Sequence, residues 1–320
     1  MLRVFTALVL KKDSADDYQT RKSRSTSMGI TVGNGITIGA GISIGNIALP
    51  APTGGTVTTI SDGGNSYQLH TFTANSTFVA YDIRNVQYFL VGGGGGGGST
   101  IGGGGGGGQV LTGNITIGPG TYPVVVGNGG SGQNTFGVNG GNSTALGYVS
   151  IGGGGGGSST GNGLAGGSGG GGAGAGVAVS RFGGASNAVP AAYNGGNSLA
   201  SVYVAGGGGA ATNGFNGTGT RESPDGGNGG GSLQSYFAGT ETYYAGGGGG
   251  VTFKSTGTFR TYGNIYSGGG NGAVANSSGI AFTSTAGANN TGSGGGGGYS
   301  TSSAQASSGG SGIVLIRYLA

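Results

Sequence analysis

The stretch that decides the fold is residues 86–109, VQYFLVGGGGGGGSTIGGGGGGGQ. Its first six residues are rich in Val, Tyr, Phe and Leu, as β-strands are, and they run directly into seven glycines. A second run of seven glycines follows after Ser99, Thr100 and Ile101. A flexible linker is the ordinary interpretation of such sequence. However, the glycine blocks are short, similar in length and repeatedly attached to apolar segments, which predicts an ordered structure.

Glycine dominates the composition of the whole chain, with 90 Gly among 320 residues against 6 Pro and no Cys. Collagen is excluded because its triple helix needs glycine at every third position and abundant proline. Disordered chains are typically highly charged and poor in aromatic residues, whereas this chain has 8 acidic and 12 basic residues with 15 Tyr and 11 Phe. Glycine costs about 1 kcal/mol relative to alanine inside an α-helix, so we expect no α-helix after residue 28.

Glycine can instead form a helix of the polyproline II type, with three residues per turn and no internal hydrogen bonds. Its backbone groups must then bond to neighbouring segments. Ordering a glycine costs about as much as one new hydrogen bond returns, so a bundle of such helices needs an apolar anchor. The sequence therefore predicts an all-β fold: a β-sandwich-like strand scaffold with a polyglycine II helix bundle and an extended N-terminal arm.

Seven apolar or aromatic segments are predicted to be the strands of the glycine-rich domain: Tyr67–Phe72, Val86–Val91, Gln109–Ile117, Tyr122–Val126, Ala145–Ile151, Ser198–Ala205 and Ile313–Tyr318. Asn-Gly steps tolerate positive φ. Between the glycine blocks they predict tight reversals at Asn139, Asn162, Asn194, Asn213, Asn228 and Asn271.

Composition divides the chain into four parts. Residues 1–28 form a basic arm, in which six basic residues oppose three acidic ones. Residues 29–46 repeat the pattern G-I-[TS]-[IV]-G-x three times, residues 47–66 are a linker with a short strand at 57–60, and residues 67–320 are the glycine-rich domain. The β-branched residues of the repeat share one face of a strand. They are candidates for assembly, in a stem, in a hairpin or against a neighbour's sheet edge: Ile30, Val32, Ile36, Ile38, Ile42 and Ile44.

Catalysis, cofactors and metals are not expected. His70 is the only histidine and there is no cysteine, so a His/Cys metal set is impossible. The nearest carboxylate pair, Glu222 and Asp225, surrounds Pro224 and is interpreted as a turn. Residues 25–320 carry six basic and five acidic residues, which gives no dense basic face for nucleic acid. No apolar run approaches the length of a membrane span, so no membrane insertion is expected.

Aromatic and basic residues concentrate between the glycine blocks in the second half of the chain. Tyr and Arg on loops between rigid elements are typical of binding surfaces. The alternative is that the aromatic residues cap the bundle and bury its backbone. The candidate receptor-binding residues are Arg181, Tyr193, Tyr236, Tyr243, Tyr244, Arg260, Tyr262 and Tyr266.

Four segments resemble the glycine-rich domain of bacteriophage tail proteins: Thr71–Gly98, Gln109–Gly130, Tyr148–Gly157 and Gly309–Tyr318. The order of strand, two glycine blocks, strand, hairpin and a closing G-x-G-I-V-x-I-R-Y strand carries the resemblance. The chain is also similar to the tail-fibre-tip adhesins of T-even-like phages, although these lack the hexapeptide repeat and the basic arm.

This resemblance implies a structural protein on the surface of a virion. The arm and the hexapeptides would contact other virion proteins, the chain would be a homo-oligomer, and its loops would bind a host receptor, either a sugar or an outer-surface protein. The alternative is an architectural protein that decorates a capsid, tail or filament and has no receptor. An ice-binding bundle is disfavoured because the loops are irregular.

Overall fold

The computed structural model describes residues 49–174, 179–188, 193–198, 212–219, 224–254, 268–276, 279–299 and 306–320, together with 31–32 and 36–37. None of them is in an α-helix, and most of the regular structure is antiparallel sheet, so the all-β prediction is confirmed. In this described part of the chain there is also no helix with the length and hydrophobicity needed to cross a bilayer.

The strands are named in chain order. They are β1 (Thr31–Val32), β2 (Ile36–Thr37), β3 (Thr56–Asp62), β4 (Asn65–Phe72), β5 (Ser76–Ala80), β6 (Arg84–Val91), β7 (Val110–Ile117), β8 (Gly120–Val124), β9 (Ser143–Ala145), β10 (Tyr148–Ser150), β11 (Thr218–Gly219), β12 (Pro224–Asp225), β13 (Leu233–Ser235), β14 (Thr242–Tyr244), β15 (Thr252–Lys254), β16 (Val274–Asn276), β17 (Gly279–Phe282) and β18 (Ile313–Leu319).

The chain divides into two compact units, Met1–Ala48 and Leu49–Ala320. In the first unit β1 and β2 pair antiparallel, with Val32 opposite Ile36. The first two hexapeptides therefore pair with each other. The other assembly candidates, Ile30, Ile38, Ile42 and Ile44, lie outside the described residues.

The second unit is built on a five-stranded antiparallel sheet with the order β3-β4-β18-β6-β7. The last strand of the chain, β18, lies at its centre, where Ile316 is opposite His70 of β4 and Tyr88 of β6. The short strand predicted at 57–60 is the full edge strand β3, so the sheet begins before residue 67. The predicted segment 145–151 contributes β10 and the end of β9, which form a hairpin through Leu146 and Gly147 at positive φ.

Both faces of the central strands β4, β18 and β6 are buried. On one face it packs against the pairs β5–β8 and β9–β10, which a Val125–Thr144 bridge connects, and the contact contains Phe72, Phe78 and Leu90. On the other face Leu69, Phe89 and Leu315 are covered by residues 237–245. Successive side chains of a strand point to opposite faces, so the continuous apolar run of β18 supplies both cores.

The rest of the second unit is a glycine array, the set of extended segments between β6 and β18 that belong to no strand. The N–H groups of block 92–98 point to three neighbouring segments in turn, with a period of three residues. The donor–acceptor pairs are Gly92–Gln109, Gly95–Gly106 and Gly98–Gly103, then Gly93–Gly141 and Gly96–Val138, then Gly94–Gly310 and Gly97–Ser307.

The carbonyl groups of the same block follow the same period toward three further segments. Gly93 and Gly96 accept from Gly153 and Gly156, Gly95 and Gly98 from Gly295 and Gly298, and Gly94 from Gly130. Block 92–98 therefore has six hydrogen-bonded neighbours. A period of three is the repeat of a helix with three residues per turn, and no glycine of this block has a positive φ.

Close approach of the backbones explains why these interior blocks are pure glycine. A Cβ built on Gly95 would lie 2.1 Å from the carbonyl oxygen of Gly154, and one on Gly105 would lie 2.0 Å from that of Gly95. Blocks 92–98, 102–108, 152–157, 246–250 and 294–298 are all buried. In blocks 92–98 and 102–108 one Cα–H of each glycine is directed at a neighbouring carbonyl, an arrangement that adds weak Cα–H···O contacts.

Segments at the surface of the array follow a different rule, because only two of their three faces meet a neighbour. They read x-G-G-x, as in Asn139–Asn142, Phe182–Ala185 and Asn194–Asn197. A Cβ on Gly195 would lie 2.0 Å from the Gly170 oxygen and one on Gly196 would lie 2.0 Å from the Phe215 oxygen. The side chains are therefore carried at every third residue, where the segment faces outward.

The Asn-Gly steps are not the tight reversals that the sequence predicted. Asn139, Asn194, Asn213 and Asn228 lie inside extended segments of the array, and none of them has a positive φ. At Asn139, Asn194 and Asn213 the side chain accepts a backbone N–H of an adjacent segment. Oδ1 of Asn228 is buried without a hydrogen-bond partner among the described residues. The prediction of turns was wrong because turn propensity is a local preference. At the surface of the array an asparagine oxygen instead accepts a backbone N–H that would otherwise lack a partner.

Burial of His70 should make the stability of the fold depend on pH. Its ring is fully buried, with Nδ1 2.7 Å from the Gly54 oxygen and Nε2 3.4 Å from the Tyr318 hydroxyl. Burial, aided by the charge of Arg84, lowers the pKa of His70 below its usual value of 6.5, although the bond to Gly54 opposes the shift. Below that value the unfolded chain binds more protons than the folded one, so stability falls as the pH falls.

We expect the free energy of unfolding to decrease below pH 6.5 by up to about 1.4 kcal/mol per pH unit, until the lowered pKa of the folded state is reached. Thermal melts between pH 7.5 and 5.5 measure this slope. His70→Gln removes the only histidine and should flatten the curve over that range. An unchanged slope in the variant would show that another group causes it.

Candidate binding surfaces

The structure separates the candidate receptor-binding residues rather than gathering them. Tyr236, Tyr243 and Tyr244 lie on and beside the hairpin β13–β14, at the end of the array next to the sheet. Arg181 lies at the opposite, distal end, beside the turn at Ser158–Gly161. Tyr193 is half-buried on a surface segment, where its carbonyl accepts from Gly169. Arg260, Tyr262 and Tyr266 are outside the described residues.

Tyr236 and Tyr243 come together around one carboxylate. The Tyr236 hydroxyl donates to Oε2 of Glu241 at 2.9 Å, and the Tyr243 hydroxyl donates to Oε1 of the same residue. These bonds, first from Tyr243 and then from Tyr236, lower the pKa of Glu241, and the carboxylate raises the pKa of both phenols. The result is an exposed, ionised group flanked by two aromatic rings, which can accept hydrogen bonds from hydroxyl groups.

Tyr244 has a different role from its neighbour Tyr243. Its side chain is 2 % exposed and its ring lies 4.9 Å from that of Phe89. Burial raises the pKa of its hydroxyl. Tyr244 therefore belongs to the apolar core, as the alternative of aromatic capping anticipated for this class of residue.

Among the candidates that the structure describes, Arg181 alone lies at the distal end of the array. Its Nη2 donates to the Ser159 carbonyl at 3.0 Å, and its backbone N–H donates to the Ser198 hydroxyl. Its Nε is buried without a hydrogen-bond partner among the described residues. One guanidinium nitrogen of Arg181 is thus engaged by its own chain.

The distal turn between the two seven-glycine blocks holds two β-branched residues in the left-handed region. Thr100 and Ile101 both have φ 59°. This conformation is uncommon for such side chains and costs about 1–3 kcal/mol for each residue. Ile101 offsets part of this cost by packing against the buried cluster of Val251 and Ala273, and its N–H donates to the Tyr299 carbonyl.

Asparagine side chains form a set of clamps that the sequence analysis missed. In each clamp two asparagines three residues apart accept two backbone N–H groups that are also three residues apart on an adjacent segment. Asn139 and Asn142 accept from Gly155 and Gly152, Asn194 and Asn197 from Ser186 and Gly183, and Asn213 and Asn216 from Asn194 and Asn197.

The clamps satisfy N–H groups that a further glycine segment would otherwise bind. They therefore end the array at its surface without leaving backbone donors unpaired. The signal in the sequence is N-G-x-N, at 139–142, 194–197 and 213–216. Its spacing of three equals the turn of a threefold helix, so the period could have revealed the clamps, whereas the Asn-Gly dipeptide alone suggested turns.

Two of the residues considered for catalysis lie within the described part of the chain. His70 is buried in the sheet, Asp225 lies in β12 and Glu222 is outside the described residues. Within the described ranges no three His, Cys, Asp or Glu residues lie close enough together to hold a metal ion.

Fold and surfaces together define an all-β protein with a hydrogen-bonded glycine array whose side chains are displayed at the surface. The chain belongs to the glycine-rich domain family, whose family model matches residues 70–319. No curated protein matches the sequence. The matched range begins in β4 and ends in β18, two strands that pair with each other in the central sheet.

Proposed function

We propose that the chain is a non-enzymatic structural protein of a bacteriophage virion, a tail fibre or adhesin that presents its surface to a host receptor. The observation that carries this proposal is the hydrogen bonding of the interior block 92–98 to six neighbouring segments. Side chains are excluded from the interior and appear at every third residue of the surface segments. Such an array fixes the positions of the displayed side chains, which lowers the entropy lost on binding a receptor.

We infer further that the glycine segments are polyglycine II helices and that the sheets beneath them act as a sandwich-like anchor. The period of three, the absence of positive φ in block 92–98 and the tight Cα–H contacts support the first inference. Burial of both faces of the central strands supports the second. The stiffness required of a fibre would come from the number of interlocked backbone hydrogen bonds.

The remaining parts of the proposal concern assembly. The N-terminal arm and the hexapeptides would attach the chain to other virion proteins and to further copies of itself, at the particle surface. A separate N-terminal unit ending at Ala48 supports a division between attachment and display. The sequence resemblance to phage tail glycine-rich domains supports the virion as the location.

The proposal is tested by removing the chain from phage particles whose genome encodes it. Adsorption to host cells should fall by about a hundredfold, the scale on which multivalent contact strengthens binding, while the particles stay intact by electron microscopy. Purified chain added in excess should compete with wild-type particles. Gly118→Ala should compete equally, because a Cβ there meets nothing within 4 Å, whereas Gly95→Ala should not. Unchanged adsorption without the chain would refute the receptor role.

A second candidate function is architectural, and the edge strand β3 favours it. Residues 56–59 are exposed, and the strand pairs with β4 over seven residues without a bulge, leaving its other edge unpaired among the described residues. It carries no Lys or Pro to discourage pairing with another chain. If this function is correct, particles without the chain should disassemble or shed neighbouring proteins, instead of staying intact and failing to adsorb.

A further inference from the structure

We propose that the two adjacent clamps at residues 194–216 form a binding face for a neutral glycan. The asparagine face is defined as Asn194, Asn197, Asn213 and Asn216, with Phe182 beside it. This inference rests on the proposed receptor-binding function and names the ligand class and the place of contact.

The two clamps are neighbours because they share one segment. Asn213 and Asn216 bind the backbone of Asn194 and Asn197, whose own side chains bind the next segment at Ser186 and Gly183. Residues three apart in such a segment are about 9 Å apart along its axis. The four amides therefore form two parallel rows that cross three segments of the array.

Each amide has a donor group left for a ligand. An asparagine side chain has one carbonyl oxygen and an NH2 group with two donors, and here the oxygen is committed to a backbone N–H at 2.7 to 3.0 Å. Asn194, Asn213 and Asn216 are exposed, and no described residue accepts from their Nδ2 atoms. Sugar hydroxyl groups are acceptors as well as donors, so they suit a row of outward NH2 groups.

The charge of the face favours a neutral ligand. Segments 181–187, 193–198 and 212–219 contain one arginine and no acidic residue, and Nη2 of that arginine, Arg181, donates to the Ser159 carbonyl. A polyanion would need several cationic side chains, and a cationic ligand would need carboxylates. Neither is present, whereas amides and an aromatic ring are.

Phe182 supplies the apolar contact that the C–H face of a sugar ring requires. Its side chain is 59 % exposed, and the next residue, Gly183, donates its N–H to Asn197. An exposed aromatic ring beside a row of amide donors is a poor match to a protein partner, because protein interfaces centre on buried clusters of Trp, Tyr and Arg.

Asparagine-to-aspartate substitution separates the ligand contact from the clamp. The aspartate oxygen still accepts the backbone N–H, while the outward donor is lost and a negative charge is added. The double variant Asn213→Asp/Asn216→Asp and the single variant Phe182→Ser should both keep the melting temperature. The matched control is Asn85→Asp, at an exposed asparagine on the sheet whose Oδ1 accepts from the Thr116 hydroxyl.

The full chain would be applied to an immobilised panel of neutral hexose and N-acetylhexosamine oligomers, with sialylated and sulfated oligomers and host outer-surface proteins as comparators. We expect binding to at least one neutral oligomer. The dissociation constant should rise by about tenfold or more in both face variants, because each loses contacts worth at least one hydrogen bond, and should be unchanged in Asn85→Asp.

Other outcomes overturn the inference. They are the absence of binding to every neutral oligomer, binding only to acidic oligomers or to protein, or equal binding by wild type and the double variant. If the chain still competes for adsorption to host cells in these cases, the proposed receptor function stands and only the asparagine face is rejected. If the wild-type chain does not compete, the proposed function itself fails.

Discussion

Gly95→Ala should lower the free energy of unfolding by about 3 kcal/mol, the upper end of the usual overpacking range. The new Cβ would lie 2.1 Å from the Gly154 carbonyl oxygen and 2.6 Å from its carbon. Both atoms are backbone, so no rotamer change relieves the clash. The segment would have to move away from its neighbours, which breaks hydrogen bonds in a block that has six hydrogen-bonded neighbours. The melting temperature should fall by about 6–10 °C.

Gly231→Ala is the matched control because it also lies in a glycine run and is also buried. A Cβ there would meet only the Thr212 side chain, at 3.4 and 3.6 Å. Where the backbone conformation is compatible, Gly→Ala stabilises by about 0.4–1 kcal/mol, because the unfolded chain loses freedom. We therefore expect opposite signs for the two substitutions in parallel thermal melts. Equal small effects would mean that the interior segments are not packed as described.

The sequence allowed the class of fold and the position of the array to be predicted. Purity of glycine within a block proved to be a measure of depth: the pure runs at 92–98 and 102–108 are interior, and x-G-G-x segments such as 194–197 are at the surface. The sequence analysis treated all blocks alike. The distinction depends on how many neighbours each segment has, and that number is a property of the packed array rather than of any one segment.

The candidate binding residues were predicted from composition, which does not say where a loop lies. Tyr243 and Tyr244 are adjacent in the chain, yet one reaches Glu241 at the surface and the other lies against Phe89. The alternation of a strand could have suggested opposite roles, but only the sheet beneath β14 decides which of the two is buried. The asparagine clamps were not predicted because the Asn-Gly dipeptide is typical of turns. The spacing of three residues between the asparagines of N-G-x-N is the pattern that indicates them.

Arg317→Met should be the second strongly destabilising substitution, at about 2–4 kcal/mol, because two acceptors lose a charged hydrogen-bond donor. The ion pair adds little to this loss, since the Asp62 side chain is 40 % exposed. The Arg317 side chain is 9 % exposed and pairs with Asp62 at 2.8 Å. It also donates to the Gln87 side chain at 2.6 Å and to the Phe237 carbonyl at 3.0 Å. Its guanidinium lies over the ring of Phe237 at 4.3 Å. Methionine fills the volume but leaves both acceptors without a donor.

Arg84→Met provides the comparison within the same sheet. Arg84 also has a carboxylate partner, Asp82 at 2.8 Å, and also lies over a ring, that of Tyr318 at 4.3 Å. The side chains of this pair are 25 % and 30 % exposed, so its loss should cost only about 1 kcal/mol. Chemical denaturation of both variants measures the difference.

The position of Arg317 adds a local readout that Arg84 lacks. Arg317 connects β18 to the loop after β13 through Phe237, and that loop covers one face of the central sheet. Arg317→Met should therefore speed hydrogen exchange at the Gly239 amide, which donates to the Tyr236 carbonyl at 2.8 Å, before it affects the centre of the sheet. Arg317→Lys should not restore protection, because an ammonium group cannot stack as a planar cation while donating to three separate acceptors. Equal losses of stability and of amide protection in Arg317→Met and Arg84→Met would contradict this prediction. They would show that Arg317 contributes to β18 as a strand residue and does not hold the loop.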